Sequence, residues 1–246
     1  MKNLVLLAIG LIGLTLFSSC GEGDDITFNF KLEYEDQPLV LFEDYTYPSG
    51  EQFQIQRVSF FISDLTLQSA EHGDILLSEV EYIDLTNSHV SQAVAEEGFE
   101  LALDGTGIES YEGLSFNIGL SPDVNSSVPE DYVSSNPLSN SAEYWRSWNS
   151  YIFIKLEGKM DIDADGAYGS GESFQLHIGS NAAMRSFSTV KSSDDNNIII
   201  SVDDIFSHDD NTSDLATNPR LHVLDDETIR NMGFLATGLE QAIRVD

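Results

Sequence analysis

The tightest constraint on this chain is an alternation of apolar and polar residues with a period of two. Ile26, Phe28, Phe30, Leu32 and Tyr34 share one side of a run whose intervening residues are polar. That period belongs to an extended strand with one buried face. Similar runs follow at 52–67, 75–85, 99–103 and 114–120, the first expected to bulge near Ser59. Turn signals such as Pro48-Ser49-Gly50, His72-Gly73 and Ser121-Pro122 separate them. Strands at this cadence predict a sandwich or barrel rather than β/α units. Two segments break the pattern. Residues 123–143 are polar, contain Pro129 and Pro137, and predict a long loop with a helical turn near 129–132. Asp225-Asp226-Glu227 opens a helix whose apolar face carries Ile229, Met232, Leu235, Leu239 and Ile243, with Gly233 and Gly238 weakening it. The expected fold is an all-β antiparallel β-sandwich with a C-terminal helix and a long polar loop, one domain over residues 26–246.

The N-terminus reads as a targeting segment. Lys2 precedes an apolar run, residues 4–17, of signal-peptide rather than membrane-spanning length. Phe17-Ser18-Ser19-Cys20 is similar to a lipobox, so residues 1–19 are expected to be a lipoprotein signal peptide and Cys20 the lipidated residue. Residues 20–25 make a short tether. This predicts a protein of the bacterial cell envelope, anchored at the outer membrane through Cys20. Cys20 is the single cysteine, so no disulfide or thiolate metal site is left to the domain. The net charge of −31 disfavours nucleic acid as a partner.

Asp161-x-Asp163-x-Asp165-Gly166, closed by Glu172, matches the ligand spacing of a twelve-residue calcium loop. Asp161, Asp163, Asp165, the Ala167 carbonyl and Glu172 are the candidate calcium ligands. The flanking segments alternate with β-branched and aromatic residues, so the loop joins two strands and is no helix–loop–helix sensor. A polar hairpin turn without an ion gives the same residues.

The histidines are His72, His89, His177, His208 and His222, and no two stand at a metal-motif spacing. His72 and His89 read as solvated and His208 as part of a surface loop. His177 faces away from Phe174, Leu176 and Ile178 on one strand, either as a hydrogen-bonding residue or as a ligand. Met184 is the soft donor nearest it in sequence, while Met232 falls on the helix core face.

Tyr144-Trp145-Arg-Ser-Trp148-Asn-Ser-Tyr, running into a strand that ends Lys155-Leu156-Glu157-Gly158, and then Phe174-Gln-Leu-His177-Ile-Gly179, resembles the MbnP-like family. Shorter resemblances cover 57–65, 82–85 and 116–119, and 200–206 resembles a late family strand. The resemblance implies a β-sandwich that handles copper in the cell envelope. It also implies that a partner di-haem peroxidase-type enzyme can oxidise a tryptophan, which then joins histidines at copper. Carried onto this sequence, the copper candidates are His177, Trp148 and Trp145, with Met184 added as a soft donor. The chain departs from the family run in spacing its tryptophans three apart and in lacking a glycine between Ser150 and Tyr151.

Two functions compete. One is a copper-handling lipoprotein with a structural calcium loop. The other is a calcium-stabilised surface module that binds glycan or protein through Tyr144, Trp145 and Trp148. A soft-metal site of His177, Met184 and a tryptophan favours the first; exposed coplanar aromatic rings with no imidazole nearby favour the second. An enzyme is not expected: Asp203–Asp204 and Asp209–Asp210 are adjacent acids that diverge on a strand, and no serine elbow, zinc helix or phosphate loop is present.

Overall fold

The computed structural model describes residues 23–105, 107, 110–191 and 195–246. The expected signal peptide, Cys20 and the start of the expected tether lie outside the described residues. The principal strands are β1 (Gly23–Tyr34), β2 (Gln52–Ser69), β3 (Gly73–Asp84), β4 (Phe99–Gly105), β5 (Gly113–Ile118), β6 (Ser150–Met160), β7 (Ser173–Gly179), β8 (Arg185–Val190), β9 (Asn197–Ser201) and β10 (Ile243–Val245). Helices are α1 (Gln92–Glu97), α2 (Pro122–Asn125), α3 (Val202–Phe206) and α4 (Asp226–Ala242). One sheet runs β10–β9–β1, with β4 and a short Gln37–Pro38 strand also on β1. The larger sheet runs β7–β6–β2–β5–β8, with β3 also on β2. Pairing is antiparallel except for β1 with β9, where Asn29 to Glu33 run parallel to Asn197 to Ser201. Phe30 meets Phe60 across the layers at 6.1 Å, edge to face.

Strand β2 organises the larger sheet, and its apolar residues change phase twice. Phe53 and Ile55 point into the core, then Val58, Phe60 and Ile62, then Leu65 and Leu67. A period-two pattern changes phase only if an extra residue is inserted. The register shifts fall at those points, between Ile55 and Arg57 and again around Asp64, which has φ 55°. Ser59 itself is regularly paired with Asp84 and Lys155, so the bulge expected there is displaced to both sides of it.

Most of β6 is buried on both faces. Tyr151, Phe153, Ile154 and Leu156 join the hydrophobic core. Ile152 and Lys155 are buried as well, and Tyr151 and Lys155 bond to the polar excursion. The excursion holds α2 and 3-10 turns at Pro129–Asp131, Pro137–Ser139 and Ser141–Glu143. The Tyr151 hydroxyl donates to the Leu138 carbonyl at 2.9 Å and ties it down.

Two expectations about the C-terminal third need correction. Residues 200–206 are not one strand: β9 ends at Ser201 and α3 follows. Ile243 is not on the helix face but begins β10. Asp225 caps α4, accepting from the Thr228 amide at 2.8 Å. A Cβ on Gly238 would lie 2.4 Å from the Ile205 carbonyl, so this glycine is where α4 crosses α3 at backbone distance.

Candidate metal centre

Strands β6 and β7 carry the site on the outer face of the larger sheet. His177 opposes Lys155 on β6, and Gln175 opposes Glu157. His177 is nearly buried, and its Nε2 lies 2.7 Å from Glu157 Oε1. Because an ionised carboxylate only accepts, Nε2 is the donor in this contact, which leaves Nδ1 as the ring nitrogen turned to the rest of the site. The hydrogen bond from His177, ahead of all other influences, holds the Glu157 carboxyl below its ordinary range. Nδ1 is buried and has no hydrogen-bond partner.

The second imidazole comes from far along the chain. The Gln175 amide donates to the Pro219 carbonyl at 2.7 Å, and the Leu221 amide donates to the Gln175 carbonyl at 3.1 Å. This pairing along the edge of β7 brings His222 onto His177, ring centroids 4.8 Å apart and planes at 28°. Burial, then the neighbouring His177 and Arg220, lower the His222 pKa, which favours the neutral ring with a free lone pair. Its Nε2 is also buried without a partner.

The tryptophans close the site. Tyr144–Trp145 pairs with Ser150 and Tyr151, and the Trp148 amide donates back to the Trp145 carbonyl at 3.0 Å. The turn places residues three apart on the same side, so the indoles stack at 4.8 Å with planes 13° apart. Trp145 stands 5.3 Å from the His177 ring and 4.9 Å from the His222 ring. Trp148 stacks on the other side of Trp145 and rests on Gly179, where a Cβ would lie 3.3 Å from its ring.

The structure therefore joins His177 and Trp145 directly, Trp148 through Trp145, and adds His222. Met184 packs, half-buried, against the hydrophobic core. His222 escaped sequence reasoning because it lies 45 residues after His177 and no spacing motif spans such a gap. Two other histidines differ from expectation. His89 is fully buried: its Nε2 accepts from the Leu32 amide at 2.9 Å, and burial drops its pKa to about 4. His208 stacks on Phe234 at 4.0 Å.

The donor set suits a transition metal that accepts imidazole, copper among them. Buried polar atoms ordinarily have partners, and here two imidazole nitrogens of stacked rings lack them. Neutral imidazole suits copper, and the Glu157–His177 contact is the carboxylate support usual for a ligating histidine.

The acidic loop sits at the opposite end of the same two strands. Asp161, Asp163 and Asp165 each bring a carboxylate oxygen to within 4.8 Å of the others. Asp161 is buried and accepts from the amides of Asp165 at 3.2 Å and Gly166 at 2.9 Å. Gly166 has φ 82°, the bend that the spacing requires. Glu172 does not join the aspartate group; it accepts from the amides of Ile162, at 2.9 Å, and Gly169, staying at the loop mouth.

Fold and ring cluster together define a two-layer β-sandwich with an imidazole–tryptophan centre on one sheet edge. A family model described as MbnP matches residues 23–224, and the chain belongs to that family. Its fold is similar to the solved structure of MbnP from Methylosinus trichosporium. The TM-score is 0.56 at 14% identity, covering 78% of this chain and 79% of that one. The comparison with curated proteins finds no match.

Proposed function

We propose that this protein is a metal-binding lipoprotein of the cell envelope that holds copper(I) at His177 and His222 beside Trp145. The observation that carries the reading is the pair of buried, partnerless nitrogens on stacked imidazoles. Family membership supports it, since the resemblance implies copper handling. The arrangement also answers the rival reading as a glycan or protein module, because the stacked tryptophans lie against imidazoles rather than forming a free platform. In this reading Trp145, the indole beside both imidazoles, is the one a di-haem partner would oxidise. Cys20 provides the membrane anchor, and the protein binds and hands on metal rather than catalysing a reaction. In this reading the carboxylates of Asp161, Asp163 and Asp165, with the Ala167 carbonyl, take calcium as a clamp on the β6–β7 turn.

Metal content by mass spectrometry on the chain purified from native envelopes tests both parts. Copper present in the wild type and lost from His177→Ala, with calcium retained, is the expected result. Calcium alone in both proteins refutes the copper reading. The absence of calcium from both refutes the clamp.

A further inference from the structure

A carboxylate on the polar excursion is buried more completely than either site imidazole. Glu143 is 1% exposed, in a chain carrying 42 acidic and 11 basic residues. Two of those cations converge on it: Arg57 Nη2 from β2 at 3.0 Å and Lys155 Nζ from β6 at 2.8 Å. Lys155 is itself buried and donates to the Ala142 carbonyl at 2.8 Å, and Arg57 donates to the Tyr82 phenol oxygen at 3.2 Å. A buried ion network of this kind is a poor way to gain stability, since apolar side chains of similar volume do as well or better. It does specify position, because few placements satisfy both cations together.

The placement bears on the metal centre. Lys155, which holds Glu143, is the cross-strand partner of His177; Arg57 is the partner of Glu157, which holds the His177 ring. Cross-strand neighbours on one face stand about 5 Å apart. Glu143 and Trp145, two residues apart with extended Tyr144 between them, therefore reach adjacent positions on one sheet face. The C-terminal arm of the tryptophan turn is rigid, because it runs into β6. Its N-terminal arm is held by two ladder positions, the bond from Lys155 to the Ala142 carbonyl and this clamp.

We propose that Glu143 is a positioning residue: held by Arg57 and Lys155, it sets the Trp145 indole against the His177–His222 pair. The inference rests on the reading of that pair as the metal site, but its first readout does not need metal. Stacked indoles give an exciton couplet in far-ultraviolet circular dichroism, which reports the Trp145–Trp148 geometry in the metal-free chain.

The experiment compares the full-length wild type with Glu143→Gln, well below the melting temperature of each, by circular dichroism and by copper(I) titration against a competing chelator. The expected result is a cooperatively melting variant that has lost the couplet and binds copper(I) about tenfold to a hundredfold more weakly, the range seen when groups behind a metal ligand are changed. A couplet and a copper affinity equal to those of the wild type overturn the proposal. If the wild type takes no copper while the variant loses the couplet, the positioning role stands and the metal reading fails. If Glu143→Gln does not fold, the double variant Glu143→Leu, Lys155→Met removes both buried charges. Loss of its couplet supports the proposal, and retention overturns it.

Discussion

The two ends of the β6–β7 hairpin carry opposite kinds of chemistry on the same pair of strands. At one end Asp161, Asp163 and Asp165 offer hard oxygens, mostly exposed, within a single turn of chain. At the other, His177, His222 and Trp145 offer a soft, largely buried environment assembled from three separate stretches. In the proposed reading, the difference is what each metal class asks of a fold. A hard cation keeps much of its solvation and is satisfied by a flexible loop of carboxylates and carbonyls. A soft ion held by imidazoles needs the rings desolvated, neutral and fixed by neighbours. A tertiary structure supplies that; a short peptide cannot.

The largest expected effect separates the two ends outright. His177→Ala or His222→Ala should abolish high-affinity copper(I) binding, more than a hundredfold in a chelator competition, and leave calcium binding unchanged. Parallel loss of both metals in either variant breaks the comparison. Next in size is a substitution on the strand that both ends share. Leu156 is fully buried between the sheets, and Leu156→Ala should cost about 2–5 kcal/mol in urea unfolding. Both metals should still bind to the folded fraction, so the two ends remain separate from global stability.

Acidification sharpens the contrast through His89, which belongs to neither end. Its folded pKa of about 4 lies below the ordinary value of 6.5, so the folded state binds fewer protons than the unfolded one. The stabilisation is complete above 6.5 and is lost as pH falls towards 4, at most about 3 kcal/mol in all. His89→Asn should flatten that window of the stability–pH curve. The smallest effect is at the acidic loop. Asp161→Asn should remove the rise in melting temperature that calcium gives the wild type. In calcium-free buffer the variant should melt within a few degrees of it, a change of about 1 kcal/mol. A calcium-induced rise that persists in the variant would detach the loop from the ion.

The same contrast governs what could be read from the amino-acid order. The acidic loop was legible as a structure because its three aspartates, its bend at Gly166 and its flanking strands all lie in one short run. The strands were legible for the same local reason, as was the face of α4 that carries Met232, Leu235 and Leu239. The bulges in β2 were recorded in the phase of its apolar residues, but Phe61, buried on the other face, obscured the switch and drew attention to Ser59. His222 was not legible: it reaches His177 only through pairing of residues 219–221 with Gln175. The burial of Glu143 was equally hidden, since a glutamate in a polar stretch looks solvated until Arg57 and Lys155 are brought beneath it. The helix α3 was missed because Ile200, Val202 and Phe206 fit a strand pattern, and their packing against α4 decides otherwise.

The central claim is that two imidazoles distant in sequence form one soft-metal centre, and it rests most heavily on His222. The most direct test is a copper(I) titration of the full chain against a competing chelator, wild type beside His222→Ala, with circular dichroism confirming that both are folded. One copper(I) held tightly by the wild type and lost by the variant is the predicted result. Equal affinity in the two proteins, or no tight copper in the wild type, contradicts it.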